Sequence, residues 1–157
     1  MKTLCWFTTI TLALACLSGC KTTRDESAER ASVITSESIG RIVGMQWTLR
    51  KMTINGNEYD LAGLQPFVKF SPDGKVSGSA SVNRFSGSMH WDDQGEIHWS
   101  PLLSTRMAGP PEHMMQETAF LEALPRARRL SLKGIHLHAQ SDEAQVKLIF
   151  SVDCDVL

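Results

Sequence analysis

The chain has 157 residues, 16 Lys+Arg against 17 Asp+Glu, a formal net charge of −1 and four cysteines. That length carries one domain with a tail, and not two domains. The near-neutral balance argues against a nucleic-acid partner, whose binders show a basic excess.

Met1-Lys2 is followed by an apolar run from Leu4 to Leu17 and then by Leu17-Ser18-Gly19-Cys20. The run is too short to span a ~30 Å hydrocarbon core, which needs ~20 apolar residues. An aliphatic residue and two small ones before a cysteine read as a lipobox. The small residues let a processing peptidase approach the backbone, and Cys20 is the expected lipidation site. The alternatives are an ordinary secretory signal with a chance cysteine, or a transmembrane helix. Processing after Gly19 removes residues 1–19 and leaves fifteen basic against seventeen acidic residues, a net charge of −2. Such a chain has no electrostatic attraction to anionic lipid, so the acyl chains on Cys20 are the expected membrane contact. Cys5 and Cys16 leave with the signal, so Cys154 is the one thiol left and has no partner for a disulfide. Lys21 in place of aspartate after the acylated cysteine points to the outer membrane, with the domain in the periplasm.

Residues 20–43 are expected to form the acylated N-terminus and a tether. The stretch from Lys21 to about Gly40 is rich in Ser, Thr and charge and has no aromatic residue. It offers too little apolar area to offset its ordering entropy. A short amphipathic helix from Glu26 to Ala31 is the alternative.

The domain proper is expected over residues 44–157. Trp47, Leu49 and Lys51 alternate with Thr48 and Arg50, and Asn55-Gly56 is a type I′ hairpin signal. Val68 and Phe70 share a face before the Pro72-Asp73-Gly74 turn. Val76, Gly78, Ala80 and Val82 alternate with Ser77, Ser79 and Ser81. Met89 and Trp91 lead to a turn at Gln94-Gly95, and Ile97 and Trp99 follow it. Leu130 and Leu132, a Lys133-Gly134 turn, then Ile135 and Leu137 precede a last strand with Val146, Leu148 and Phe150. This predicts a mainly β fold: a small antiparallel, β-barrel-like (calycin-like) domain. Pro110-Pro111-Glu112 opens the one expected helix, since proline suits a first turn and Glu112 complements its dipole. Met114, Phe120, Leu121 and Leu124 form the stripe that packs on the sheet, and Pro125 stops the helix.

Glu117 projects from the middle of that stripe. A buried carboxylate is costly without a partner, and Arg84 and Arg106 are the expected ion-pair partners. The alternative role, a general acid or base, needs a second catalytic group and a cleft, and neither is visible. His136 and His138 share a strand face, opposite Ile135 and Leu137, and His90 and His98 would meet across the Gly95 turn. Two imidazoles make a weak metal site at best, so no metal and no cofactor are expected. Met107, Met114 and Met115 are read as core filling.

Trp47-Thr48-Leu49, Val68-Lys69-Phe70, VSGSASVNRFSG (76–87), STRMAGPP (104–111), Glu117, Phe120 and Leu148-Ile149-Phe150 occur in an order that resembles the META/HslJ family over about Gly44 to Val152. The resemblance implies a barrel-like domain with a helix on a periplasmic or surface lipoprotein. Members are associated with heat shock, novobiocin tolerance, motility or secretion, and no catalytic residue carries over. The family commonly has cysteines where this chain has Val82 and Gly109. If those form a pair or shared site, this branch has lost it as a unit. The resulting expectation is a non-enzymatic, membrane-anchored envelope lipoprotein with a stress-response or protein-interaction role and a possible envelope protein partner. In it, Asn83, Arg84, Thr105, Arg106 and Glu117 form a structural constellation at one end of the barrel. The alternative is a barrel that binds a small apolar ligand in a cavity lined by Trp91 or Trp99.

Overall fold

A computed structural model describes residues 31–152, so the signal, Cys20 and Cys154 lie outside the described residues. Eleven strands and one α-helix make up this region. In chain order they are β1 (Ser32–Ile34), β2 (Gln46–Ile54), β3 (Asn57–Tyr59), β4 (Phe67–Phe70), β5 (Lys75–Ser79), β6 (Arg84–Trp91), β7 (Ile97–Trp99), β8 (Leu103–Ser104), α1 (Pro111–Ala123), β9 (Arg129–Lys133), β10 (His136–Gln140) and β11 (Val146–Val152). Every strand pairing is antiparallel, in the order β1-β9-β10-β11-β2-β4-β5-β6-β7, with β3 on β2 and β8 on β6.

The fold is thus mainly antiparallel β with one helix, as the strand spacing predicts. The pairing path ends at β1 and β7 and does not close, so the barrel-like part of the expectation goes beyond the antiparallel sheet and single helix seen here. The β7 edge is instead tied to the lead-in of β9 by single bonds. Ile97 N–H donates to the Arg128 carbonyl (2.8 Å) and the Trp99 indole N–H to the Ala127 carbonyl (2.8 Å).

The sheet nevertheless curls strongly, and Phe120 on α1 shows it. Its ring lies 5.8 Å from that of Phe85 on β6 and 6.4 Å from that of Phe150 on β11, both edge-to-face. Those strands are four places apart, about 19 Å in a flat sheet at ~4.8 Å per strand. One ring can touch both only if the sheet wraps around the helix face that carries it. The enclosed space is filled by side chains such as Leu49, Met52, Leu130, Leu137 and Leu148, all fully or almost fully buried.

Local chemistry explains most of the elements. Asn55 and Gly56 both have positive φ (52° and 81°), as a type I′ turn between β2 and β3 requires. Pro111 starts α1, and Pro125 tightens its end into a 3₁₀ turn over Leu124–Arg126.

Several sequence expectations fail for physical reasons. The tether does not reach residue 43. Ser32–Ile34 pair with β9, and Ile34 and Ile42 are fully buried, so two isoleucines in a polar stretch suffice to dock it. Lys51 does not share a face with Trp47 and Leu49. The β2–β11 register shifts between Ile149 and Phe150, which shifts the phase and buries Met52 instead. The Val76–Val82 alternation ends at Ser79, because Ser81 adopts a positive φ (143°) that turns the chain. Ile135 does not face the core: it sits in the β9–β10 turn and is 61% exposed. Met107 and Met115 are exposed rather than core, and Met114 is half-buried.

Candidate functional site

The buried face of α1 carries Gln116, Glu117, Phe120 and Ala123. Two polar side chains inside this face organise one end of the sheet. Glu117 is 5% exposed, and both of its oxygens are occupied by one residue. Asn83 donates its backbone N–H to Oε2 (2.7 Å) and its Nδ2 to Oε1 (2.7 Å). The Asn83 amide also reaches the other way. Its Nδ2 donates to the Met107 carbonyl (3.0 Å), and its Oδ1 accepts from Met107 N–H and Thr105 Oγ1 (2.7 Å each). Asn83, 1% exposed, therefore has every side-chain hydrogen-bonding group engaged and joins the helix to the 105–107 segment. Arg84 N–H donates to Thr105 Oγ1 (3.2 Å), and Thr105 N–H to the Arg84 carbonyl (3.0 Å), which aligns the start of β6 with that segment.

The expected ion pair is absent. Arg84 and Arg106 are exposed, and neither guanidinium reaches Glu117. A buried ion pair would desolvate two charges. The Asn83 amide and N–H supply two donors to the carboxylate and bury only one. Of the five constellation residues, the fold thus gathers Asn83, Thr105 and Glu117 into a hub and leaves both arginines outside it.

Gln116, which sequence reading missed, is a second clamp. Fully buried, it accepts from Ala62 N–H (2.7 Å) and donates to the Leu64 carbonyl (2.9 Å), while Ser81 Oγ donates to the same carbonyl (2.9 Å). Its only sequence signal is its place beside Glu117.

These clamps fix the walls of an open groove of about 900 Å³. Leu64, Phe67, Val82, Phe85 and Met107 give it an apolar surface, and Lys69, Ser77, Ser79, Arg84 and Thr105 edge it. Gly78 admits no side chain, because a Cβ there would fall 2.0 Å from the Phe67 carbonyl oxygen and 2.9 Å from the Phe85 ring. Trp91 and Trp99 do not line it. Trp99 is tied to Ala127, and the buried Trp91 indole N–H has no partner among the described residues.

The histidines fall where the strand registers put them. His90 pairs with His98, rings stacked at 5.4 Å, and His98 Nε2 meets Asp92 Oδ2 at 2.7 Å. That contact, with N–H bonds from Glu96 and Gln94, holds Asp92 below the usual carboxylate range. Burial, and then the charges of Lys147, His136 and Lys133, lower the pKa of His138. Among the described residues no three His, Cys, Asp or Glu side chains gather as a metal site.

Val82 and Gly109 are neighbours. A Cβ on Gly109 would lie 3.3 Å from the Val82 Cβ and closer still to its methyls. A disulfide spans ~3.8 Å between Cβ atoms. The double variant Val82→Cys/Gly109→Cys is therefore expected to form a disulfide on oxidation and to gain ~3.5 kcal/mol from closing a loop of about 27 residues. Two free thiols in oxidised, folded protein would contradict this placement.

Fold and site together define a small curled antiparallel domain whose single helix is pinned by a buried carboxylate held by asparagine. The family model described as the META domain matches residues 40–153, and the chain belongs to that family. An NMR structure of a protein from Burkholderia xenovorans matches with a TM-score of 0.62 at 20% identity, covering 78% of this chain and 91% of that one. A second NMR structure matches with a TM-score of 0.53 at 22% identity (76% and 95% covered). A crystal structure of a DUF4847 family protein from Bacteroides vulgatus matches with a TM-score of 0.51 at 13% identity (72% and 95% covered). At these identities the likeness concerns the fold. No curated protein matches the sequence.

Proposed function

We propose that this protein is a non-enzymatic envelope lipoprotein, anchored in the outer membrane through acylated Cys20, whose META domain acts in the periplasm as an interaction module. The observation that carries the non-enzymatic reading is Glu117. The carboxylate best placed for acid–base work is almost fully buried, and Asn83 occupies both of its oxygens. It holds a wall in place, with one Asn83 donor on each oxygen. The lipobox Leu17-Ser18-Gly19-Cys20 supports the address, and Lys21 supports the outer membrane. Eleven residues separate Cys20 from β1, which starts at Ser32. At ~3.3–3.6 Å per residue, they span up to ~40 Å when extended, enough for the domain to reach a partner beyond the headgroups. A stress-response role accords with family membership.

The test is crosslinking of the full-length protein in intact cells, with mass spectrometry of the captured species. One reproducible envelope protein is expected, and Cys20→Ser should abolish both its capture and the incorporation of labelled palmitate. Palmitate incorporation that survives Cys20→Ser would overturn the anchor. Capture of no protein would overturn the interaction role.

A further inference from the structure

Among the described residues, the arginines beside the groove differ from the others in having no side-chain partner. Arg41, Arg50, Arg126, Arg128 and Arg129 each make a side-chain hydrogen bond or ion pair. Arg84 and Arg106 have no such partner among the described residues. Among the described residues Lys69 has the Phe67 ring as its one partner, 5.7 Å from its Nζ. Lys69 and Arg84 edge the groove, Arg106 lies between two residues that line it, and no carboxylate lines it.

Strand register places the first two on one face. Lys69 faces Ser77 on β5, and Ser79, two residues on, faces Arg84 on β6. Two strand spacings and a two-residue offset separate their Cα atoms by about 12 Å. Side chains of that length close most of such a gap over Ser77, whose hydroxyl has no partner among the described residues. Beside them runs the apolar surface of Leu64, Phe67, Val82, Phe85 and Met107. Leu64 is 66% and Met107 57% exposed, a cost in water that an apolar ligand would remove. A volume of about 900 Å³ falls in the range of small-molecule sites.

We propose that this groove binds a single-chain anionic amphiphile, with a carboxylate or phosphate headgroup between Lys69 and Arg84 and its hydrocarbon chain along Leu64, Val82 and Met107. Delocalised and fork-shaped, the Arg84 guanidinium suits either headgroup. Charge complementarity selects this occupant over a neutral lipid, and the filled interior of the sheet leaves the outer groove as the place for it. The site belongs to the domain alone. It stands whether or not Cys20 is acylated.

The experiment uses full-length protein in phosphatidylcholine vesicles, labelled by a photoactivatable, clickable fatty acid and mapped by mass spectrometry. Labelling is expected on peptides that contain Leu64, Val82 or Met107, at least tenfold above the Ile135 peptide, which is exposed but lies elsewhere. Laurate and monododecyl phosphate should both compete, and dodecanol should not. Competition by only one of the two anions would assign the headgroup to carboxylate or to phosphate, each consistent with the proposal. Lys69→Ala/Arg84→Ala should cut groove labelling at least tenfold with the melting temperature unchanged. Arg84→Glu should let dodecyltrimethylammonium compete where it did not before. Equal labelling at Ile135, equal competition by dodecanol, or full labelling of the double alanine variant would overturn the proposal.

Discussion

Replacing Asn83 with alanine is expected to destabilise the domain by ~4 kcal/mol and to lower its melting temperature by roughly 15 °C. The substitution removes four hydrogen bonds at once, two at Nδ2 and two at Oδ1. It leaves Met107 N–H and one oxygen of a nearly buried carboxylate without their partner, and stranded buried groups cost more than the bonds themselves return. Glu117→Gln is the matched control. Only a carboxylate offers two acceptors to the two Asn83 donors, so an amide turns one donor against another and is expected to cost about 2 kcal/mol. Arg84→Ala and Arg106→Ala should each stay within ~0.5 kcal/mol of wild type, since neither touches the hub. Thermal unfolding of the four variants decides between hub and ion pair. Large losses at the arginines with little change at Asn83 would restore the ion pair, and loss of amide-exchange protection at Met107 in Asn83→Ala would confirm the route to the rim.

Phe120→Ala should be of similar size, ~4 kcal/mol, through a different mechanism. Phe120 is fully buried and makes edge-to-face contact with both Phe85 and Phe150. Truncation removes its transfer free energy and leaves a cavity between strands that its ring keeps apart. Phe120→Leu, which fills part of the space, should recover about half. Denaturant unfolding measures both, and a loss under ~1 kcal/mol for alanine would mean that the sheet does not depend on this side chain for its curl. Glu117→Gln and Phe120→Ala lie one helical turn apart on the buried face of α1 and are expected to be non-additive when combined.

Much of the fold was legible before any coordinates. Period-two alternation with turn residues at Asn55-Gly56, Pro72-Asp73-Gly74, Gly95 and Gly134 marks the strands, because a half-buried strand must alternate and a tight turn must admit positive φ. Pro111 and Pro125 bracket the helix for steric reasons local to the chain. A glutamate at the centre of an apolar stripe announces a buried carboxylate.

What such patterns do not encode is the neighbour. Alternation says that Phe85 and Phe150 face inward, and only the curl of the sheet brings both onto Phe120. Periodicity places Glu117 inside without naming Asn83. That choice rests on the turn after Ala80, which aims a backbone N–H and an amide at the same two oxygens, and on the desolvation cost that disfavours an arginine there. Short ladders such as β1 and the phase shift in β2 depend on the partner strand, so a polar-looking segment with two well-placed isoleucines became an edge strand. Met107, apolar in sequence, is held outside by the hub. The groove and its cations exist because residues 64, 67–69, 77–85 and 105–107, separate along the chain, are brought together by the β4–β5–β6 ladder and by the contacts of Gln116, Glu117 and Asn83.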